Sequence, residues 1–323
     1  MPLLNMVQAI NQALLQEMQA DNAVVVLGED VGVDGGVFRV TDGLFEKFGA
    51  SRVVDTPLAE SGIVGMSVGM ALYGLKPVAE IQFEGFAAPA FDQLVSHAAR
   101  YRNRSRGRFH VPLVVRMPWG GRIHALEHHS DAPEAYWIHT PGLKVVVPSS
   151  PYDAKGLLLS AIRDPDPVIF LEPKKLYRAF KQEVPAESYT VPLGKAAVVR
   201  EGDDLTIITY GSLVHDALAA ADAVKDKWKI EVIDLRTLSP LDEETIIRSV
   251  VKTGKCLVVH EAPRTLGIAA EIIAVINEKA LYDLQAPVER LTGYDTVIPL
   301  PKLEDYYMPS KERIVKRVEK LLG

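Results

Sequence analysis

The sequence contains a single cysteine, Cys256, among 323 residues. One cysteine excludes an intrachain disulfide and a cysteine-based metal cage. No run of roughly 18 or more apolar residues is present, so the sequence predicts no transmembrane helix and no membrane partner. The N-terminus lacks both the pattern of a signal peptide and that of a transit sequence. We therefore expect a cytoplasmic protein or a processed mature form.

A strong charge of one sign is also absent. The chain has 36 Lys and Arg against 42 Asp and Glu, a net charge of -6, which gives no reason to expect nucleic acid as a partner. Five arginines recur at alternate positions from Arg100 to Arg108. Because the rest of the chain has no basic footprint, we interpret them as a solvated loop or a subunit interface.

What the sequence has is an alternation of short apolar runs with helical patterns. Strand-like runs lie at 24–27, 77–83, 111–117, 143–147 and 167–171, and helical spacing is found at 4–20, 91–101 and 153–162. Continuous apolar strands that alternate with helices are typical of a mostly parallel sheet covered on both faces. The sequence therefore predicts the α/β class.

The alternation is interrupted once, between Pro173 and Pro192. This segment is polar and contains three prolines, so we interpret it as a linker. Strand and helix patterns then resume from residue 205 to the C-terminus. We expect a first domain over residues 1–185 and a second over residues 186–323, each of ordinary domain size.

The stretch from Ser61 to Leu75 carries no charge and directly follows one carboxylate, Glu60. Its glycines, at 62, 65 and 69, predict a thin helix suited to close packing. A carboxylate at the start of such a segment is expected to lose water, which raises its pKa and suits it to proton transfer near neutral pH. The alternative is an acid placed to complement the helix dipole.

Six of the eight histidines lie between His97 and His139. His124 and His128 are four residues apart, as helical zinc ligands are, but Gly120 and Gly121 precede them and no further ligand has clear spacing. The second interpretation is a loop after a strand that presents one histidine to a cleft, since ligands bind at strand ends in α/β sheets. Ordinary surface histidines are a third.

Ten short motifs together resemble one family, in order and spacing, over nearly the whole chain. Six of them are at 27–30, 55–60, 79–83, 91–93, 116–120 and 128–130, and four at 133–134, 170–173, 232–236 and 260–263. The chain resembles the β subunit of the heterotetrameric, thiamine-diphosphate-dependent 2-oxoacid dehydrogenase. It is most similar to branched-chain enzymes, with pyruvate and acetoin dehydrogenases as close relatives.

This resemblance implies a transketolase-like pyrimidine-binding domain with a parallel sheet, followed by a smaller transketolase C-terminal-like α/β domain. It implies that Glu60 contacts the aminopyrimidine ring nitrogen of the coenzyme and so favours the imino form that deprotonates the thiazolium carbon. His129 aligns with the active-site histidine that assists acyl transfer to a lipoyl thiol, although His128 is easily confused with it. Leu58, Gln82 and Phe86 match positions that line the pyrimidine pocket.

Three departures and absences qualify the resemblance. Many relatives have Tyr where this chain has Phe86, and Glu84-Gly85 replaces the commoner Ala-Asp. The Gly-Asp-Gly motif that begins the Mg²⁺ and diphosphate site is missing, and in this family the α subunit carries it. We therefore expect this chain to bind the pyrimidine half of the coenzyme at an interface within a two-α, two-β heterotetramer.

The resemblance also implies a potassium site in some members. By position its ligands would be the carbonyl oxygens of Leu113, Val114 and Ala161 and oxygens of Asp164 and Asp166, hard ligands that suit such a cation. The alternative there is a plain acidic turn.

The expected activity is decarboxylation of a 2-oxoacid, of the branched-chain type by resemblance, with acyl transfer to a lipoyl acyltransferase core that docks on the C-terminal domain. The alternatives are a pyruvate or acetoin enzyme, a non-catalytic scaffold subunit and an autonomous transketolase.

Overall fold

A computed structural model describes the backbone of residues 1–323 and every side chain except that of Glu127. Its strands form one seven-stranded sheet, one five-stranded sheet and a two-stranded ribbon. The strands are β1 (Leu3–Leu4), β2 (Val24–Gly28), β3 (Val53–Asp55), β4 (Lys76–Glu80), β5 (Val114–Trp119), β6 (Lys144–Val146), β7 (Val168–Pro173), β8 (Gln182–Glu183), β9 (Ala197–Arg200), β10 (Leu205–Thr209), β11 (Ile230–Asp234), β12 (Thr237–Ser239), β13 (Cys256–Val259) and β14 (Glu289–Leu291).

The helices surround these sheets. They are α1 (Met6–Ala20), α2 (Leu44–Phe48), α3 (Glu60–Leu72), α4 (Tyr101–Arg104), α5 (Ala135–Ile138), α6 (Pro151–Arg163), α7 (Leu213–Ala223), α8 (Glu243–Thr253), α9 (Ile268–Ala280), α10 (Glu304–Tyr307) and α11 (Lys311–Leu322). None of the helices in the described chain combines the length and the apolar character needed to cross a bilayer.

Parallel pairing dominates both large sheets, which confirms the predicted α/β class. The first sheet has the order β12-β6-β7-β5-β4-β2-β3, and the second has the order β14-β13-β10-β11-β9. Only the edge strands β12 and β9 pair antiparallel within them. β12 follows the second sheet's β11 in the chain yet pairs with β6 of the first sheet, so the two halves of the chain share an edge.

Local sequence explains where the covering helices begin. Asn5 and Gln8 form a reciprocal capping box at the start of α1, and Ser150 caps α6, whose first residue is Pro151. Both devices satisfy backbone N–H groups that a helix start leaves unpaired. α1 and α6 then pack on the same face of the first sheet, where Ile10 and Leu157 belong to one buried cluster.

Two segments differ from the sequence expectations. The helix expected over 91–101 is irregular, since a π-helical turn over Gln93–His97 is followed by a 3₁₀ turn and then by α4. The expected polar linker is partly core, because Leu176, Tyr177 and Val184 are buried and β8 pairs with β1. The apolar minority of that segment, and not its average polarity, determines its packing.

One buried ionic group lies inside the first sheet. The Arg116 guanidinium donates to both carboxylate oxygens of Glu172, at 2.7 and 3.0 Å, and to Glu80 at 2.7 Å. The Tyr177 hydroxyl donates to Glu172 at 2.6 Å. Since the three charged residues are buried, this network fixes the central strands β4, β5 and β7 just below the ends from which functional loops leave.

Candidate active site at the carboxyl edge of the first sheet

Four neighbouring parallel strands end at one edge of the first sheet. β3, β2, β4 and β5 are adjacent and parallel, so their carboxyl ends meet there. β3 leads to Glu60, β2 to Glu29, β4 to Gln82 and β5 to the loop that contains His129. The topology therefore gathers all three polar residues predicted for the site at the place where α/β sheets bind ligands.

Glu60 is the first residue of α3, as the sequence predicted, and the glycines at 62, 65 and 69 fall inside that helix. The helix start has no side-chain cap, so the Glu60 carboxylate also complements the dipole. Glu60 is half-buried within this chain. The full shelter that we expected from the sequence is therefore not supplied by this chain alone.

A second carboxylate, Glu29, lies beside Glu60. Burial raises the pKa of Glu29, and the negative charges of Asp30 and Glu60 add to the increase. Asp30 also accepts a hydrogen bond from the Gln82 amide at 3.2 Å. Glu60 and Gln82 thus face a shared acidic neighbourhood, whereas Leu58, the remaining predicted residue on this side, is 71% exposed.

His129 is held by aromatic rings. The centroid of its ring lies 4.3 Å from that of Phe83 and 5.1 Å from that of Phe86, both close to edge-to-face. Its Nδ1 atom is buried without a hydrogen-bond partner among the described residues. The structure therefore brings Phe86 and His129 together. His128, in contrast, is exposed, with Nδ1 3.9 Å from Asp131.

The second half of the chain fastens the loop that contains His129. Glu304 of α10 accepts hydrogen bonds from the backbone N–H groups of Arg122 and His124, at 2.6 and 2.7 Å. Glu261 accepts one from Gly121 at 3.0 Å. A Cβ at position 121 would lie 2.1 Å from Met308 Cε and 2.7 Å from Glu304 Oε1, so a larger residue there would displace these two side chains. The same position lies against the Ser130 carbonyl, next to His129.

The sequence suggested two metal sites, one for zinc at His124 and His128 and one for potassium near Asp164 and Asp166. His124 and His128 do not share a regular helix. Among residues whose side chains the structure describes, no group of three metal-ligating side chains is found, so nothing supports zinc. At the predicted potassium position the carboxylates already have cationic partners, Lys144 Nζ at 2.5 Å from Asp164 and the Arg102 guanidinium on Asp166. The Asp166 N–H also donates to Asp164 at 2.9 Å, as in an acidic turn.

Several site residues were not predicted from the sequence. Glu29 lies in a motif that we had recognised, but its charge interaction with Glu60 depends on the sheet order. Glu304 contacts the His129 loop, about 180 residues away in the sequence, and no local sequence pattern predicts such a contact. Lys174 follows β7 and is buried, although a lysine after a strand normally indicates solvent. Among these residues only Glu84 was singled out from the sequence, because it departs from the commoner family pattern.

Comparisons with known proteins agree along the whole chain. Residues 3–179 match the transketolase pyrimidine-binding domain, and residues 194–314 match the transketolase C-terminal domain. The chain is 57% identical to the pyruvate dehydrogenase E1 component subunit beta of Acholeplasma laidlawii over 322 residues, which is 99% of this chain and 98% of the relative. It is 54% identical to the 3-methyl-2-oxobutanoate dehydrogenase subunit beta of Mycobacterium tuberculosis over 321 residues, which is 99% of this chain and 92% of the relative.

A solved structure supports the fold independently. A split-gene transketolase, described as an inactive beta4 tetramer, superposes with a TM-score of 0.81 at 23% identity and covers 99% of this chain and 98% of its own. At that identity the likeness concerns the fold alone.

Proposed function

This chain belongs to the family of transketolase-like β subunits of 2-oxoacid dehydrogenases, and from that premise we propose how its residues serve the reaction. The family is associated with thiamine diphosphate. The observation that carries the proposal is the convergence of Glu60, Gln82, Phe86 and His129 on one edge of the first sheet. Their donor set fits half of this coenzyme: a carboxylate, an amide and an aromatic wall.

We assign the pyrimidine half of the coenzyme to Leu58, Glu60, Gln82 and Phe86. When bound, thiamine diphosphate supplies the carbon nucleophile and the electron sink that decarboxylation requires. Glu60 holds and moves a proton at the pyrimidine ring nitrogen. A carboxyl group suits this task because it exchanges a proton, which an amide of the same shape does not.

The diphosphate half and its Mg²⁺ belong to the α subunit in this proposal. Among the described side chains no metal-ligating group of three is found, and the chain has no Gly-Asp-Gly sequence. We propose that α covers Glu60 along a surface that we call the α3 outer face, formed by Gly62, Met66, Gly69 and Tyr73. These residues recur every three or four positions and are exposed, with Tyr73 at 92%.

The glycines of this face support that proposal. A Cβ at Gly69 would meet nothing within 4 Å, and one at Gly62 would meet only Ala59 at 3.6 Å. The chain's own packing therefore requires neither glycine. A close approach of the α subunit would require these small residues, and it would cover Glu60, which this chain leaves half-buried.

His129 serves acyl transfer in this proposal. Its buried, unpartnered Nδ1 and its Phe83 and Phe86 contacts leave the ring oriented by packing. It orients the acyl group and assists its transfer to a lipoyl thiol. The lipoyl acyltransferase core is proposed to dock on the C-terminal domain, whose loop after β14 exposes apolar side chains, including Val297 and Leu300. The division of the chain into two domains between residues 185 and 186 is also part of this proposal.

We propose that a potassium ion binds the backbone carbonyl oxygens of Leu113, Val114, Ala161, Asp164 and Asp166. The side-chain carboxylates of Asp164 and Asp166 are engaged by Lys144 and Arg102. For the substrate we propose a branched-chain 2-oxoacid, as the motifs of the sequence imply. Pyruvate is the alternative, because relatives of both kinds have similar identity to this chain. A panel of 2-oxoacids on the complex reconstituted with α decides between them by their kcat/KM values.

The test of the catalytic assignment uses Glu60→Gln and His129→Ala in that complex. Glu60→Gln is expected to assemble with α and to lose most decarboxylation with an artificial electron acceptor. His129→Ala is expected to impair lipoyl acylation much more than decarboxylation. Full activity of Glu60→Gln would support a non-catalytic scaffold, and equal losses in both His129→Ala assays would overturn the role given to His129.

A further inference from the structure

Glu84 is a buried acid with an incomplete set of hydrogen bonds. It begins the 3₁₀ turn Glu84–Phe86 and is 2% exposed. One carboxyl oxygen accepts a hydrogen bond from Trp137 Nε1 at 2.8 Å. The other is buried without a hydrogen-bond partner among the described residues. An ionised carboxylate needs several donors when buried, so a single neutral indole favours the uncharged acid.

The turn that contains Glu84 wraps the His129 loop. A Cβ at Gly85 would lie 2.1 Å from the His128 carbonyl oxygen, so glycine alone allows this approach. Phe83 and Phe86, on either side of the Glu84-Gly85 pair, both contact the His129 ring. The backbone of this turn therefore sets the position of the histidine.

Charged groups surround Glu84 from several elements. Lys174, after β7, is buried with Nζ 5.8 Å from the Phe83 ring centroid, and its charge acts on Glu84, as do those of Glu134 and Asp131. Glu261 and Glu304 of the second half act on Lys174. Glu134 is a useful contrast, because Trp119 and Tyr210 each donate to one of its oxygens.

We propose that Glu84 is a positioning residue for His129 that works in its uncharged form, bonded to Trp137 and holding the Phe83–Phe86 turn against the loop. Ionisation of Glu84 would place an unsolvated negative charge behind the histidine, and relief of that charge by water or by Lys174 would displace the turn. This inference rests on the role in acyl transfer proposed for His129.

The pH dependence follows from the surroundings. Burial raises the pKa of Glu84 to about 8 and lowers that of Lys174 to about 8. Below that pH the acid is uncharged and the lysine is a cation, whereas above it the acid is an anion and the lysine is neutral. Lipoyl acylation relative to decarboxylation is therefore expected to fall about tenfold by pH 9, in proportion to the uncharged Glu84.

The experiment measures this ratio from pH 6.5 to 9.5 in the complex reconstituted with α, for wild type, Glu84→Gln, Glu84→Ala and Glu134→Gln. Glu84→Gln keeps an acceptor for Trp137 and does not ionise. We expect it to stay within about threefold of wild type at pH 7 and to lose the alkaline decline. Glu84→Ala is expected to lower the ratio at every pH, and Glu134→Gln is expected to retain the decline.

An undiminished alkaline decline in Glu84→Gln, or a loss at pH 7 as large as that of Glu84→Ala, overturns the inference. If Glu84→Gln does not assemble, Lys174→Met provides the test. Removal of the cation raises the pKa of Glu84 further, so the decline must move to higher pH, and an unmoved decline overturns the inference. His129→Ala is measured alongside: if it leaves the ratio intact, the proposed role of His129 fails instead.

Discussion

Replacement of Arg116 by methionine removes the cation that lies between two buried carboxylates. Arg116 makes two hydrogen bonds to Glu172 and one to Glu80, and both acids are buried. Loss of one partner from a buried ionic group costs about 3–5 kcal/mol, because the remaining charges are uncompensated. For 323 residues that unfold as one unit, with an unfolding entropy of about 2.1 cal/mol/K per residue, the midpoint of thermal unfolding falls by roughly 4–7 °C, and by less where α unfolds in the same transition.

The same substitution predicts a dependence on pH. Burial already raises the pKa of Glu80 despite Arg116, and removal of the cation raises it further. A folded-state pKa above the unfolded value means that the folded chain retains the proton. The contribution to stability is therefore complete below the unfolded pKa and is lost as the pH rises towards the folded one. Because the pKa of Glu80 is already raised in the wild type, the deficit of Arg116→Met should grow by about 1.4 kcal/mol per pH unit only between the folded-state pKa of Glu80 in the wild type and that in the variant.

Thermal unfolding of the complex with α, followed by circular dichroism at pH 5.5 and 7.5, measures both effects. Arg102→Met is the matched control, because Arg102 pairs with Asp166 at an exposed position, where an ion pair contributes only about 0–1 kcal/mol. A combined Glu80→Gln, Arg116→Met and Glu172→Gln variant should recover much of the loss. An Arg116→Met midpoint equal to that of the control, or a deficit independent of pH, would show that Arg116 does not compensate the two buried carboxylates.

Three further substitutions or modifications concern the α3 outer face, the His129 loop and the buried thiol of Cys256. Gly69→Leu should leave the chain folded but prevent assembly with α in size-exclusion chromatography, with Gly69→Ala as the graded control; a normal complex would argue against the α3 outer face as the interface. Glu304→Ala removes two hydrogen bonds to the His129 loop and should lower lipoyl acylation about tenfold or more, with a smaller effect on decarboxylation. The control variant Glu304→Gln should give an intermediate result. Equal effects of Glu304→Ala on both assays would contradict this prediction. Burial raises the pKa of the Cys256 thiol far above its usual range, so iodoacetamide should label it only after unfolding, and rapid labelling of the native protein would be inconsistent with that burial.

The parts of the fold that sequence reasoning predicted depend on local periodicity. Continuous apolar runs such as that of β2 predicted buried parallel strands, and the uncharged glycine-rich stretch predicted α3 with Glu60 at its start. The family resemblance, which rested on ordered motifs, is confirmed by the comparisons. β9 and β12 were missed because they are short edge strands, whose pairing comes from their neighbours and not from their own pattern.

The rest of the site depends on contacts between distant segments. Glu304 contacts the His129 loop because the second half of the chain packs on the first. Glu84 was noticed as a departure from the family pattern, but its hydrogen bond to Trp137 spans 53 residues. The environment of Glu60 within this chain depends on sheet order, which places Glu29 near it, and local sequence patterns do not specify sheet order.

The central claim is that Glu60 transfers a proton at the pyrimidine half of a coenzyme shared with α. The most direct measurement is decarboxylation of a 2-oxoacid by the Glu60→Gln complex with an artificial acceptor, after assembly with α has been verified. We expect a correctly assembled complex that retains about 1% of wild-type activity or less, the usual scale for loss of a general acid or base. An assembled complex with wild-type activity would contradict it.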